Sequence, residues 1–86
     1  MLSFPNRSRS YDPSHHRVRF IGHDGPMVVA FLLDSDAIER LDPHVRPEES
    51  SVLSSFDKNI DRILEAAAKA YRAARKNAYL LKAADF

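Results

Sequence analysis

The stretch RVRFIGHDGPMVVAFLL, residues 17–33, contains two apolar segments separated by a glycine–proline pair. In the first segment, Val18 and Phe20 alternate with arginines, a period-two pattern that indicates a strand with one buried face. The second segment, Met27–Leu33, is apolar at every position, which is typical of a central strand buried on both faces. The stretch therefore predicts a β-hairpin at the centre of the fold.

The turn of this hairpin carries two conflicting signals. Asp24-Gly25 is typical of a tight two-residue turn. Pro26 has no N–H to donate to a strand ladder, so it must lie in the loop or at the first residue of the strand. We therefore expect a loop of about four or five residues, roughly His23–Pro26.

Two helices follow the hairpin in the sequence. DSDAIERL, residues 34–41, predicts a two-turn helix capped by Asp34 or Ser35. A long helix is predicted from Pro47 or Ser51 to Lys76, because apolar residues recur there at alternating steps of three and four. Those residues are Leu53, Phe56, Ile60, Ile63, Ala67, Ala70 and Ala74.

The remaining segments predict short strands and loops. LSF at residues 2–4 and Tyr79–Leu81 are the two candidate terminal strands, and the polar segment 6–16 is interpreted as a loop. The sequence therefore predicts one α+β domain spanning residues 1–86. Its small antiparallel sheet, the hairpin plus short terminal strands, is packed by one long C-terminal helix and one short helix.

The predicted long helix exceeds the sheet in length. At 1.5 Å per residue it spans about 40 Å, whereas a typical strand spans about 17–20 Å. The alanine-rich half of the helix is then left for another molecule, and we expect a homodimer or a small protein partner there. The predicted contact residues are Ala67, Ala70, Tyr71 and Ala74. The alternative is that alanine only favours helix formation and faces water.

Composition limits the class of protein. The chain contains no cysteine, which excludes disulfides and thiolate metal sites and fits a cytoplasmic protein. No apolar run approaches the roughly 20 residues of a membrane span. MLSFPNRSRS has no charged start followed by a long apolar stretch, so we expect no secretory signal there. We expect no membrane association.

Charge is unevenly distributed along the chain. Residues 1–23 sum to +3, residues 24–65 to −6 and residues 66–86 to +4. Basic ends around an acidic middle favour either self-association or binding of a polyanion, or they are simply solvated faces. An accessory nucleic-acid-binding protein is therefore the alternative function. Its candidate contacts are Arg7, Arg9, Arg17, Arg19, Lys69, Arg72, Arg75 and Lys76.

The sequence offers little for catalysis. Adjacent His15 and His16 point to opposite sides of an extended chain, and no histidine pair has the i,i+4 spacing of a zinc hydrolase. The carboxylates Asp57, Asp61 and Glu65 recur every fourth residue, a pattern that a solvated helix face also produces. Two glycines exclude a glycine-rich phosphate loop. We expect no enzyme, metal or cofactor.

Several short motifs resemble those of a family of small bacterial proteins, domain of unknown function 1488. The matching segments are SFPN near the start, YD at 11–12, VRF at 18–20, VAFLLDSDAI at 29–38, FDKNIDRI at 56–63, Tyr71 and the final DF. Their order covers nearly the whole chain. The resemblance implies a compact α+β fold and a bacterial origin, and it implies no activity and no catalytic or ligand-binding residues.

Overall fold

A computed structural model describes residues 1–5 and 8–86 of the chain. It contains five strands, three α-helices and a terminal turn of 3₁₀ helix. The elements are β1 Leu2–Ser3, β2 Arg9–Asp12, β3 Arg17–Asp24, β4 Met27–Leu33, α1 Ser35–Leu41, α2 Glu49–Lys58, α3 Ile60–Ala73, β5 Ala78–Leu81 and the 3₁₀ turn Ala83–Asp85. The predicted α+β class is confirmed.

The five strands form one mixed sheet rather than the antiparallel sheet that the sequence predicted. Its order is β1-β3-β4-β5, and β2 also pairs with β3, beside β1. The β1–β3, β2–β3 and β3–β4 pairs are antiparallel, but β5 runs parallel to β4. A parallel neighbour requires a crossover, and here the chain between β4 and β5 supplies one that carries all three helices.

The hairpin turn is tighter than predicted. Asp24 and Met27 are direct cross-strand partners, so only Gly25 and Pro26 form the turn. Gly25 has a φ of +59°, and glycine at the first central position fits the type II′ turn. Proline is tolerated at the second central position because the two-residue turn needs no ladder hydrogen bond from that nitrogen.

Strand β2 lies within the segment that was predicted to be a loop. It pairs with β3 from Arg9↔Phe20 to Asp12↔Arg17. The turn after it is stabilised by Asp12, whose carboxylate accepts the Ser14 N–H at 3.0 Å. The polar composition of β2 hides its strand character because the strand lies at the edge of the sheet, where its side chains are exposed or half-buried.

The predicted long helix is divided into α2 and α3. Asn59 leaves the helical conformation (φ −108°, ψ 18°), and its side-chain amide donates to the Ser55 carbonyl at 2.9 Å. Asparagine competes for backbone hydrogen bonds in this way, which is why it interrupts helices. Helix α3 ends at Ala73, whereas the predicted long helix extended to Lys76.

The core lies between one face of the sheet and the helices. Phe20 and Phe31 stack with ring centroids 5.2 Å apart, and Phe56 from α2 contacts Phe20 at 5.4 Å. Gly22 lies on the same face beneath the side chains of Leu2 and Phe4. The motif segments SFPN, VRF and FDKNIDRI therefore each contribute an aromatic ring to one core.

Candidate functional site

The two faces of the sheet differ in what covers them. Cross-strand partners share a face, so the pairs Val18↔Leu33, Phe20↔Phe31 and Gly22↔Val29 define the inner face, against the helices. All six of these residues are buried. The partners between them define the outer face, which includes Ile21↔Ala30 and Arg19↔Leu32.

The outer face carries a continuous apolar surface, which we call the open-face patch. Its members come from β3, β4 and β5, and they are Ile21, Val28, Ala30, Leu32, Ala78 and Leu80. Val28 is 52% exposed and Leu80 is 40% exposed. Ile21, Ala30 and Leu32 are half-buried, and all six residues lie outside the core cluster. Exposed apolar surfaces of this kind mark interaction sites.

One end of the open-face patch is closed by an ion cluster. Asp34 follows β4 and lies 2.9 Å from the Lys82 ammonium and 3.3 Å from the Arg17 guanidinium. The hydrogen bond from Lys82 and then that from Arg17 lower the pKa of Asp34 below its usual range. Asp34 was predicted to cap α1 with its side chain, but that carboxylate bonds to the cations instead. The cluster fixes β3, β4 and the end of β5 to one another.

The outer edge of β5 borders the patch. Ala30 donates its N–H to the Asn77 carbonyl and Asp34 donates its N–H to the Leu81 carbonyl, both at 2.9 Å. Asn77 and Leu81 therefore face β4. Backbone groups of successive strand residues point to opposite sides, so those of Ala78 and Leu80 point away from β4. Neither residue has a hydrogen-bond partner on that side among residues 1–5 and 8–86.

A cleft of about 460 Å³ lies on another part of the molecule, between β2, α1 and the segment before α2. Its apolar floor is formed by Ile38, Val45 and Val52, and Glu39 and Arg46 lie at its border. The Tyr11 hydroxyl and His16 Nδ1 are 3.1 Å apart beside it. This volume lies within the usual range of small-molecule sites, but nothing selects one ligand chemistry for it.

The four predicted helix contacts are not equally accessible. Ala67 is fully buried and Tyr71 is 6% exposed, because both pack into the core. Tyr71 also donates a 2.5 Å hydrogen bond to Asp24, which raises the tyrosine pKa. Ala70 is half-buried and Ala74 is exposed. The sheet therefore covers much of the helix half that was expected to be bare.

Three predicted nucleic-acid contacts bind carboxylates of this chain. Arg9 makes two hydrogen bonds to Asp57, at 2.8 and 3.0 Å. Arg17 binds Asp34, as described above. Arg75 lies 3.6 Å from the Asp24 carboxylate.

The other predicted contacts are distributed over two surfaces. Arg7 lies outside the described residues. Arg19, on the outer sheet face, and Lys69, Arg72 and Lys76, in and after α3, make no ion pair within the described part of the chain. The structure thus does not bring the eight predicted residues together.

The predicted acid–base candidates do not converge either. Asp57 is held by Arg9, and Asp61 and Glu65 are exposed on α3. His15 binds Asp12 at 2.9 Å, whereas His16 points to Tyr11. Over residues 1–5 and 8–86, no group of three or more His, Cys, Asp or Glu side chains is arranged to hold a metal ion. In the same residues, no helix is long and apolar enough to cross a membrane.

Comparison with protein families gives one match. The family model described as "Protein of unknown function (DUF1488)" covers residues 2–81 of the 86-residue chain. The chain belongs to the DUF1488 family. Comparisons with curated proteins and with solved structures gave no significant match. The resemblance inferred from the motifs is therefore confirmed, and in this DUF1488 protein the motif residues have structural roles.

The VAFLLDSDAI segment contains both kinds of surface. Val29, Phe31 and Leu33 enter the core, Ala37 and Ile38 of α1 close it, and Asp34 holds the ion cluster. Ala30 and Leu32 belong to the open-face patch. The signal for this patch was present in the sequence, since MVVAFLL is apolar at every position. The prediction of a central strand is confirmed, but the expected burial of both faces within this chain is not.

Proposed function

We propose that this DUF1488 protein is a non-enzymatic domain that self-associates with a second copy of the chain through the β4–β5 side of its sheet, which carries most of the open-face patch. One observation carries the proposal: β4 is apolar on both faces, yet the helices cover only the inner face. An antiparallel sheet with one face in water normally alternates apolar and polar residues. In β4 the alternation is absent, so this strand has the composition of a buried surface on its outer face, although the neighbouring positions of β3 include Arg19 and His23.

Two further features favour a second copy of the chain as the binding partner. Burial of apolar surface contributes roughly 25 cal/mol per Å², and two copies supply each other with a surface of the same kind. The formal net charge is only +1, so long-range repulsion between copies is weak. A homodimer was also predicted from the sequence, although from the helix rather than from the sheet.

The absence of enzymatic activity is part of the proposal. It is supported by the arrangement described above, in which the predicted histidine and carboxylate candidates among the described residues do not converge on one site. We place the protein in the bacterial cytoplasm, as the cysteine-free sequence and the family resemblance suggested.

Nucleic-acid binding is the second candidate function. The observation in its favour is that Arg19, Lys69, Arg72 and Lys76 are exposed cations with no carboxylate partner in the described residues. Binding of mixed DNA and RNA at about 50 mM salt, where phosphate contacts are strong, tests it. Lack of affinity under those conditions excludes this function.

The test of self-association is the solution mass, measured by light scattering after size-exclusion chromatography at two protein concentrations. We expect about twice the 9.8 kDa mass of the chain. Leu80→Glu, at an exposed position of the open-face patch on β5, should return the mass to that of one chain, because a charge on an edge strand opposes pairing. A monomer at both concentrations contradicts the proposal.

Two variants make the test specific for the patch. Ser54→Glu adds the same charge at an exposed position of α2 and should leave the dimer intact. Ala70→Glu tests the helix surface that the sequence predicted. Dissociation by Ala70→Glu but not by Leu80→Glu would move the interface from the sheet to the helix.

A further inference from the structure

The two edges of the sheet are protected to different extents. One edge is formed by β1 and β2, which are only two and four residues long and are interrupted by Pro5. It also carries the charges of Arg9 and Asp12. Short strands, proline and charge are the usual means by which proteins prevent edge-to-edge pairing. The other edge is β5, which is also only four residues long but whose sequence, AYLL, contains neither a proline nor a charged residue.

We propose that two copies join their sheets through β5, paired antiparallel with Ala78 opposite Leu80 of the second copy. This inference rests on the proposed self-association and specifies its geometry. A two-fold axis then passes beside Tyr79, and the sheets of the two copies become one continuous sheet. The open-face patches of the two copies lie side by side on it.

The backbone supports this register. Ala78 and Leu80 are the β5 residues whose N–H and C=O groups point away from β4. In an antiparallel ladder, two residues that form a hydrogen-bonded pair exchange both bonds. With Ala78 opposite Leu80, every outward N–H and C=O of β5 in both copies has a partner. A register centred on Ala78 or on Leu80 pairs only one of these residues within β5 and requires Lys76 or Lys82 for the other.

The side chains fit the same register. Ala78 and Leu80 lie on the outer face of the sheet, so the pairing sets a small apolar residue against a large one across the axis. Direct apolar neighbours of this kind stabilise a strand pair. The Lys82 charge beyond the strand is already paired with Asp34 at 2.9 Å. On the inner face, Tyr79 is held by stacking on Phe31 at 5.1 Å, so the edge is presented by an ordered strand.

The decisive variant is Leu80→Pro, because it removes an N–H that the chain itself does not use. The preceding residue, Tyr79, is already extended, as a residue before proline must be. Leu80→Val is the matched control, since it keeps the N–H and the apolar character. At a concentration where the wild type is a dimer, we expect Leu80→Pro to be a monomer and Leu80→Val to remain a dimer.

Amide hydrogen exchange tests the register without altering the fold. The Ala78 and Leu80 amides should exchange at least roughly tenfold more slowly in the concentrated dimer than after dilution to the monomer. The Tyr79 and Leu81 amides face β4 and should be protected at both concentrations. This measurement decides the matter if Leu80→Pro fails to fold.

The outcomes separate the two proposals. A wild-type protein that is monomeric at every concentration overturns self-association and this register with it. A wild-type dimer that persists in Leu80→Pro, with Ala78 and Leu80 amides unprotected, keeps self-association and overturns edge pairing. In that case the outer faces stack on each other instead.

Discussion

Strand β4 has two apolar faces with different surroundings. Val29, Phe31 and Leu33 on the inner face are fully buried beneath the helices. Val28 and Leu32 on the outer face differ little from them in chemistry but lie outside the core cluster. The comparison teaches that apolar composition alone does not reveal whether a surface is buried by its own chain or kept for another molecule.

The largest expected effect separates two adjacent residues of β4. Phe31→Ala removes a ring that contacts Phe20 and Tyr79 and should lower the free energy of unfolding by about 3–5 kcal/mol. Leu32→Ala, at a half-buried position outside the core cluster, should cost about 1 kcal/mol or less. Urea unfolding at low protein concentration measures the loss of stability in both variants. Equal losses of monomer stability would mean that this chain buries both faces alike.

Gly22 tests how closely the inner face is packed. A Cβ at this position would lie 2.9 Å from Leu2 Cδ1 and 2.9 Å from Phe4 Cε1, so those side chains would have to move. We expect Gly22→Ala to lower stability by about 2 kcal/mol, as overpacking does. The outward-facing substitution Ala30→Val is the control and should change monomer stability little. Denaturant midpoints of the two variants show whether the inner face is the constrained one.

The ion cluster at the end of the outer face predicts a pH dependence. The pKa of Asp34 is lowered by Lys82 and Arg17, so its charged form stabilises the fold above the unfolded-state pKa of about 3.9. That stability is lost as the pH falls through the lower folded-state pKa.

Asp34→Asn should therefore cost about 1 kcal/mol near neutral pH and reduce the acid sensitivity of the melting temperature. Part of the dependence of the melting temperature on pH should remain in this variant, because a hydrogen bond from Ser55 also lowers the pKa of Asp42. A melting temperature that falls equally with pH in both proteins would contradict this role of Asp34.

The smallest effect is expected for the pair Arg9–Asp57. Its geometry is bidentate, but the Asp57 side chain is more than half exposed. A double-mutant cycle with Arg9→Gln and Asp57→Asn should give a coupling energy of about 1 kcal/mol or less, and it should decrease at high salt. A larger, salt-independent coupling would show that β2 is anchored to α2 more firmly than the exposure indicates.

Local sequence patterns were sufficient to predict those elements whose structure depends mainly on their own residues. The alternation in β3, the apolar run of β4 and the length of α1 all follow from side-chain periodicity, and the structure has each of them within about one turn or less of the predicted bounds. The turn at Gly25 was predicted too long because Pro26, which has no N–H to donate, was taken to exclude the two-residue turn. In a two-residue turn its nitrogen is not required to donate.

Features that depend on distant partners were not accessible from the sequence. Strand β2 is polar and becomes a strand only because β3 offers an unpaired edge. The parallel direction of β5 follows from the crossover, not from AYLL itself. The helix break at Asn59 involves no proline or glycine, and the seam from Leu53 to Ala74 continues through it. The open-face patch likewise required knowledge of which side the helices cover.

The arrangement of tyrosines gives the protein an internal optical reporter. The chain has three tyrosines and no tryptophan, so tyrosine alone dominates its near-ultraviolet emission. Tyr11 belongs to β2, Tyr71 binds Asp24, and Tyr79 stacks on Phe31 beside the proposed axis. Single tyrosine-to-phenylalanine variants thus resolve the loosening of the sheet's two edges and of α3 by fluorescence, without an attached dye.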